Sequence, residues 1–277
     1  MPKRFYLETS VIRSRLIGHT SIRNSLIKKL ENQTRITSPF VKAEFNSGFI
    51  CDLIEFYFVV SESKSIKDAI KYWTEDYRIR KIKNVDFAIA DAFIGINDTD
   101  ITHGLFKLRA LIKVITISFN CLISRYDKNE TCCHLAAVNL DFASHKTVND
   151  TERAFVRFYE FYRKSTHEDK CKVVVLFDKS KEILKKIHEV GAGKQSFEKQ
   201  QKGLDEIKSG KRKLTCSTCR IIGDTIIALE CPNYAILLSL DSIFEDLCKV
   251  MGLKCEIIPS VRAMLPLGSI LERLRGS

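Results

Sequence analysis

The stretch IIGDTIIALECPNYAILLSLDSIF, residues 221–244, contains two aspartates among mostly apolar residues. Asp224 opens a predicted helix that ends near Glu230. Asp241 directly follows YAILLSL, an apolar run that predicts a strand. A helix followed by a strand, with a carboxylate at an end of each, indicates an α/β protein. It also raises the question of which residues the two aspartates face.

The segments on either side of this stretch continue the alternation of strands and helices. CKVVVLFD, residues 171–178, is a continuous apolar run with β-branched residues, which predicts a buried parallel strand. KSKEILKKIHEV then predicts a helix that stops at Gly191. After Asp241, DSIFEDLCKVMG predicts another helix and CEII a last strand. Strands and helices in this order predict a parallel sheet with helices on both faces, a three-layer α/β fold.

The beginning of the chain fits the same fold. RFYLE predicts a short strand that ends in the carboxylate of Glu8, and a helix is predicted around residues 21–31. Ser38 followed by a proline is typical of a helix N-cap with proline at the first helical position. The helix that starts there carries Glu44 in its second turn.

Residues 61–170 have a different pattern, with charged and apolar residues alternating at helical spacing. The predicted helices cover about 65–82, 105–123 and 151–164. We therefore expect one α/β domain formed by residues 1–60 and 171–277, interrupted by a mostly helical insertion at 61–170.

The composition excludes several classes of protein. Hydrophobic residues make up 45% of the 277 residues, with 12 Gly and 5 Pro, which is typical of a folded globule and not of a disordered chain. The first residues lack the apolar core of a secretion signal. The most apolar stretch, residues 105–123, contains three basic residues, so we expect no membrane helix and a cytoplasmic protein. The ten cysteines mostly lie in apolar contexts and are expected to be reduced thiols in the core.

The chain carries a formal net charge of +11, and much of this charge is concentrated in one region. Residues 179–213 contain eleven Lys or Arg and five Asp or Glu. A concentrated basic surface attracts polyanions, of which nucleic acid is the first candidate. The alternative is a solvated helix face followed by a basic loop.

Four carboxylates stand at the ends of predicted elements: Glu8, Glu44, Asp224 and Asp241. Functional groups of open parallel sheets collect outside the carboxyl ends of the strands, so these acids are expected to share one pocket. Several carboxylates in one pocket stay ionised when a cation neutralises them, and Mg²⁺ or Mn²⁺ binds carboxylate and water oxygens. Such a site can activate water for attack on a phosphodiester. The alternative is that each acid only caps a helix or ends a strand.

The stretches YLETSVI, SPFVKAEF and GDTIIALECPNYAILLSLDSIF resemble motifs of the PIN-domain nucleases. The resemblance includes a strand ending in an acid, a Ser-Pro step before a helical glutamate, and a Gly-Asp helix followed by a strand and a Ser-x-Asp step. VVVLFDKSKEILKKI is similar to the strand and helix that precede the Gly-Asp helix in that family. The similarity covers roughly residues 4–58 and 171–258.

The resemblance implies a PIN-like fold and metal-dependent hydrolysis of RNA, less often of DNA, by activated water. It implies that Glu8, Glu44, Asp224 and Asp241 form the acidic catalytic set, with Glu8, Asp224 and Asp241 as metal ligands. Ser239 would be the small hydroxyl residue that contacts substrate beside the last acid. The basic stretch, including Lys211, Arg212 and Lys213, would hold the nucleic-acid backbone.

The chain differs from the family pattern in two respects, which leave other functions open. Glu8 stands where the family usually has aspartate, and the insertion has no counterpart in compact members. The first alternative is a PIN-like module that binds nucleic acid or protein without cutting it. The second is a toxin-type ribonuclease that a partner protein holds inactive, with the insertion or the basic surface as docking site.

Three further motifs were considered. Cys216 and Cys219 have the spacing of half a zinc site, with Cys132-Cys133-His134 as the other cluster, but two ordinary thiols are the preferred interpretation. GAGKQS at 191–196 lacks the first glycine of a phosphate-binding loop. RAFVRFYEFYRK at 153–164 alternates arginines with aromatics, which indicates either base stacking or, preferably, a core helix.

Overall fold

The computed structural model describes residues 2–18, 20–75, 85–93, 96–126, 140, 142, 147–163, 180–191, 195–209 and 221–259. Within these residues, five strands form one parallel sheet in the order β3-β2-β1-β4-β5. The strands are β1 Arg4–Leu7, β2 Thr34–Thr37, β3 Arg125–Tyr126, β4 Ile236–Ser239 and β5 Lys254–Ile257. The predicted α/β class with a parallel sheet is therefore confirmed for this part of the chain.

The register of the central strands places two of the predicted site acids side by side. Leu7 at the end of β1 pairs with Leu238 near the end of β4. Glu8 follows β1 directly, and Asp241 follows two residues after β4. The carboxyl ends of these neighbouring parallel strands therefore carry both acids to the same edge of the sheet.

The helices of the first half of the chain begin largely where the sequence predicts. They are α1 Thr9–Ile17, α2 Thr20–Leu30, α3 Pro39–Phe45, α4 Cys51–Glu62, α5 Ile66–Glu75, α6 Asp86–Phe93 and α7 Ile101–Leu122. The side chain of Ser38 accepts a hydrogen bond from the Val41 N–H at 3.2 Å, which confirms the predicted N-cap of α3.

Between α3 and α4, Asn46–Ile50 forms a π-helical turn, in which the Cys51 N–H donates to the Asn46 carbonyl five residues earlier. The chain therefore continues from α3 into α4 without a loop. The Asn46 side chain donates a hydrogen bond of 2.9 Å to the Tyr162 hydroxyl, so the turn is also attached to a later helix.

The second half contains α8 Val148–Arg163, α9 Lys181–Gly191, α10 Gln195–Lys208, α11 Gly223–Glu230 and α12 Ile243–Met251. The helices predicted at 151–164, 179–190, 224–230 and 241–252 are thus confirmed, as are the strands predicted in YAILLSL and CEII. The strand predicted at 171–178 lies outside the described residues. Sequence analysis did not identify β2, whose sequence TRIT is half polar, or the two-residue β3.

The order of the strands determines where the helices lie. The chain crosses from β1 through β2 to β3 in one direction and from β3 through β4 to β5 in the other. Right-handed crossovers place these two groups of helices on opposite faces of the sheet. In agreement, α1 packs against α3 and α7, while α12 packs against α9 and α11. The arrangement is compatible with the predicted three-layer fold.

The segment 61–170 contributes to the same core as the rest of the chain. It supplies β3 at the edge of the sheet, and α7 and α8 pack on α4. Phe119 of α7 and Phe155 of α8 are fully or almost fully buried in the common apolar cluster. No helix among the described residues combines the length and the apolar character needed to cross a membrane.

Candidate functional site

The four acids singled out in the sequence line one cleft of about 370 Å³, which we call the acidic cleft. Glu8 enters from the end of β1, Glu44 from α3, Asp224 from the first turn of α11 and Asp241 from the end of β4. The remaining lining includes Thr9, Ser10, Arg13, Phe45, Ser47, Gly48, Phe49, Asp52, Arg163 and Phe244. Acids separated by more than two hundred residues along the chain thus meet at one edge of the sheet.

Glu8 is the N-cap of α1 and is only 4% exposed. Its Oε2 accepts a 2.6 Å hydrogen bond from the Ser10 N–H, and its Oε1 accepts the Ser10 hydroxyl and the Val11 N–H. Burial raises the pKa of Glu8, while the hydrogen bonds from Ser10 and Ser239 oppose that rise. The longer glutamate side chain therefore curls back onto its own helix, so this acid has a capping function as well as a place in the cleft.

Ser239 lies behind the acids and does not face the cleft. It is 0% exposed, and its hydroxyl donates to Glu8 Oε1 at 3.0 Å and accepts the Asp241 N–H at 2.9 Å. Substrate does not reach a side chain with this burial. The structure therefore gives Ser239 a positioning role between two acids, in place of the substrate contact that the resemblance implies.

Glu44 is fixed by contacts from two directions. Its Oε2 accepts a hydrogen bond from the Thr9 hydroxyl of α1. On the other side, a Cβ atom at Gly223 would lie 3.2 Å from Glu44 Oε1 and 3.7 Å from the nearest ring atom of Phe40. The glycine of the Gly-Asp step therefore lets α11 approach α3 closely enough for Glu44 and Asp224 to line the same cleft.

Asp224 is held by a side chain that sequence analysis did not identify. Gln200 of α10 is 3% exposed and donates from Nε2 to Asp224 Oδ2 at 2.7 Å, while its Oε1 accepts the Thr225 hydroxyl. Burial raises the pKa of Asp224 to about 7, and the charges of Glu44, Glu8 and Asp241 raise it further in that order of importance. The Asp224 carboxyl is thus poised to change its charge near neutral pH.

Asp241 caps the chain at the start of α12 with one of its oxygens. Oδ1 accepts the Ile243 N–H at 3.1 Å, and Asp241 is the most exposed of the four acids. Within the described part of the chain, Asp241 Oδ2 and Asp224 Oδ1 accept no hydrogen bond. These two oxygens can therefore bind a ligand without breaking a contact of the fold.

Two arginines also line the acidic cleft. Arg13 of α1 is largely buried, and this burial lowers its pKa, while the negative charges of Glu8 and Glu44 oppose that decrease. Arg163 at the end of α8 forms an ion pair with Asp52 of α4, and its Nη2 lies 4.0 Å from Glu55 Oε2. Arg13 therefore offsets part of the acidic charge, whereas Arg163 connects the cleft wall to α4.

The donor set of the cleft fits a hard divalent cation. The oxygens are carboxylates, and the mutual repulsion that raises the pKa of Asp224 would be relieved by positive charge between them. Among the described residues, no group of three or more His, Cys, Asp or Glu side chains is arranged to hold a metal ion by itself. Mg²⁺ usually keeps several waters and binds one or two carboxylates directly, so the separated acids suit this kind of binding.

Several predicted residues lie outside the described part of the chain, including Lys211, Arg212, Lys213, Cys216, Cys219 and the cluster at 132–134. In α9, which belongs to the basic stretch, Lys185 and Lys186 are exposed. Among the described cysteines, Cys51, Cys231 and Cys248 are buried as expected, but Cys121 is exposed on α7. The prediction of a core position was wrong for Cys121, because it falls on the solvent side of its helix.

The arginine and aromatic residues of α8 separate onto two faces. Phe155, Phe158 and Tyr162 are buried in the core, whereas Arg153 and Arg157 are exposed. The preferred interpretation of this segment as a core helix is therefore confirmed for the aromatics.

The site contains two residues that no sequence motif indicated, Arg13 and Gln200. Arg13 lies one helical turn after Glu8, a spacing that could have been tested, but Gln200 comes from a helix with no sequence relation to Asp224. Comparisons of the chain with protein-family models, with curated proteins and with solved structures find no match.

Proposed function

We propose that this protein is a metal-dependent nuclease that hydrolyses phosphodiester bonds, with RNA as the favoured substrate. The observation that carries the proposal is the convergence of Glu8, Glu44, Asp224 and Asp241 on one cleft, where their charges raise the pKa of Asp224 to about 7. The motifs that resemble PIN-domain nucleases support the same reading and favour RNA.

Asp224 and Asp241 are the residues that would hold the ion, since each has one carboxylate oxygen outside the hydrogen bonds of the fold. Glu8 and Glu44 would add negative charge around it. When bound, a Mg²⁺ or Mn²⁺ ion supplies Lewis acidity toward the phosphate and lowers the pKa of water.

The chain's own groups would perform the remaining steps. Asp224 Oδ1 would accept the proton of the attacking water, since a base with a pKa near the working pH is the most effective. Arg13 would face the phosphate from the α1 side and offset its charge as the leaving oxygen departs. Gln200 would keep Asp224 in one orientation throughout the reaction.

The test is cleavage of single-stranded RNA by the purified protein and by an Asp224→Asn variant, with and without Mn²⁺. Loss of a general base lowers rates by about 10²- to 10⁴-fold, so we expect a decrease in this range. Asp68→Asn, a charge loss of the same kind at an exposed position on α5, is the matched control and should leave the rate unchanged. A folded Asp224→Asn variant with the wild-type rate would exclude the proposed role.

A second candidate function is a binding module that does not cut its ligand. The observation in its favour is that Glu8 is engaged as the cap of α1, with Ser10 bonded to both of its oxygens. A titration with Mn²⁺, followed by electron paramagnetic resonance, separates the two functions. A nuclease site should saturate in the millimolar range or below, whereas saturable binding is not expected of the module.

A further inference from the structure

A second groove of about 670 Å³ lies between α4 and α8, away from the four acids. We call it the α8 groove, and it is lined by Phe58, Asn149, Glu152, Arg153, Val156 and Arg157. Its volume is within the roughly 300–1,000 Å³ typical of sites for small ligands. None of the motifs considered above accounts for it.

The walls of the α8 groove combine positive charge with apolar surface. Arg153 and Arg157 are exposed and lie four residues apart, so both project from the same face of α8. Arg157 Nε donates only a long 3.4 Å hydrogen bond to the Arg153 carbonyl, and within the described residues neither guanidinium has a carboxylate partner. Val156 is 43% exposed between them, and Phe58 is partly buried.

The one acid of the groove, Glu152, is tied to its wall. Glu152 Oε1 accepts a 2.7 Å hydrogen bond from the Tyr57 hydroxyl. The two arginines outweigh its single charge, so the lining remains net positive. Guanidinium groups recognise phosphate oxygens with bidentate geometry, an amide such as Asn149 can bind the edge of a base, and apolar side chains pack against its face.

The helix α8 connects this groove to the acidic cleft. Arg163, the last residue of α8, lines the cleft, and Arg157 precedes it by six residues. At 1.5 Å per residue, the two positions are about 9 Å apart along the helix axis. A flexible polymer with one phosphate in the cleft can therefore reach the α8 groove with a neighbouring part of its backbone.

We propose that the α8 groove binds the flanking part of a single-stranded nucleic acid, with its phosphates on Arg153 and Arg157. The identity of the polymer rests on the proposed nuclease function, whereas the groove itself stands on its own lining. A single strand fits better than a duplex, because its bases are unpaired and can enter a groove of this size.

The experiment measures binding of a short labelled single-stranded RNA by fluorescence anisotropy, with the full-length protein in the presence of a chelator. The variant Arg153→Ala/Arg157→Ala is compared with Arg23→Ala/Lys28→Ala, which removes two exposed charges from α2. Since a hydrogen bond to a charged group corresponds to tenfold or more in affinity, we expect the first variant to bind at least about tenfold more weakly. The control should change by much less.

The salt dependence gives a second readout that a merely structural role would not change in this way. Each phosphate contact with a single strand contributes about 0.7 to the slope of log K against log salt, so losing two contacts should reduce the slope by about 1.4. Arg153→Lys/Arg157→Lys should retain most of the slope. If the alanine variant fails to fold, Arg153→Gln/Arg157→Gln replaces it.

The outcomes separate this inference from the proposed function. Hydrolysis of a small phosphodiester such as bis(p-nitrophenyl) phosphate, too short to reach the groove, should be equal in wild type and groove variant. Equal RNA binding by the two variants, or no RNA binding by the wild type, would overturn the inference even if RNA is cleaved. Binding that depends on the arginines without any cleavage would retain the groove and remove the nuclease.

Discussion

Asp224 is the residue at which the burial and the charge of the acidic cleft have their largest combined effect. It shares the cleft with three other carboxylates and has a pKa of about 7 in the folded protein. A group whose pKa is higher in the folded state than its ordinary 3.8 stabilises the fold when protonated. This stabilisation is complete at acid pH and is lost as the pH rises through about 7.

We therefore expect the free energy of unfolding, measured without divalent metal, to decrease between about pH 4 and pH 7. The limit of the effect is about 1.4 kcal/mol for each unit of pKa shift. Asp224→Asn removes the titration, so its midpoint of thermal unfolding should be higher than that of the wild type above pH 7. Parallel pH profiles for the two proteins would contradict this prediction. Saturating Mn²⁺ should reverse the order, because the ion binds the ionised wild-type carboxylate.

Gly223 provides a second prediction at the residue scale. A Cβ atom in Gly223→Ala would lie 3.2 Å from Glu44 Oε1, so the carboxylate must move by a few tenths of an ångström. Residues that orient metal ligands typically contribute about 10- to 100-fold in affinity, and we expect a loss of Mn²⁺ affinity near the lower end. Gly48→Ala is the matched control on the same cleft, since its Cβ would have no neighbour within 4 Å. Equal affinities would show that Glu44 adapts.

The identity of the acids could be predicted at this scale, but their hydrogen bonds could not. A carboxylate after a strand and another at a helix start are visible in the sequence, and the parallel order of the strands brings them together. That Glu8 folds back onto Ser10 depends on side-chain length and on the Ser239 hydroxyl, which lies 231 residues away. Such a contact has no sequence signal.

At the scale of elements, α10 acts as a support for α11. It contributes the buried Gln200, which bonds to the neighbouring residues Asp224 and Thr225. Thr225 is 0% exposed, so its hydroxyl depends on this partner. The helix therefore fixes the first turn of α11 through one side chain.

Replacing that side chain should affect both stability and the site. In Gln200→Ala the buried Thr225 hydroxyl loses its acceptor, which costs about 1–3 kcal/mol, and Asp224 loses its orientation. We expect Mn²⁺ affinity to decrease by about tenfold or more. Gln201→Ala, on the next position of α10, removes only a bond to the His188 carbonyl and serves as control. Chemical denaturation and metal titration of both variants measure the two effects, and identical results would contradict the assignment.

Elements with strong patterns were predicted well, and weak ones were not. The helices α8, α9 and α12 have clear apolar faces, and β4 is an apolar run. In contrast, β2 contains two threonines and an arginine and is only four residues long. It becomes a strand because β1 and β3 lie on either side of it, which is tertiary information.

At the scale of the whole molecule, the segment 61–170 is joined to the sheet domain by a buried ion pair. Arg163 of α8 binds Asp52 of α4, and the two side chains are 11% and 3% exposed. The Tyr162 hydroxyl accepts from Asn46 beside this pair. The sequence predicted the helices of this segment, but this attachment could not be predicted, since Arg163 and Asp52 are 111 residues apart.

Breaking this pair should destabilise the whole molecule and not α8 alone. In Arg163→Met the Asp52 carboxylate loses its guanidinium partner in a buried position, which costs about 3–5 kcal/mol. The double variant Asp52→Leu/Arg163→Met, which removes both charges, should recover much of this loss. Urea unfolding followed by circular dichroism gives the values, and the proposal of a joined core fails if the single variant unfolds like the wild type.

The π-helical turn at Asn46–Ile50 has a consequence for the length of the chain. Deleting one residue there would allow ordinary α-helical bonding from α3 into α4 and would rotate everything after it by about 100°. Asp52 would then turn away from Arg163, while Glu44 would stay in place. A segment without a single charged side chain therefore sets the angular phase between two walls of the cleft, and it should tolerate substitutions far better than insertions or deletions.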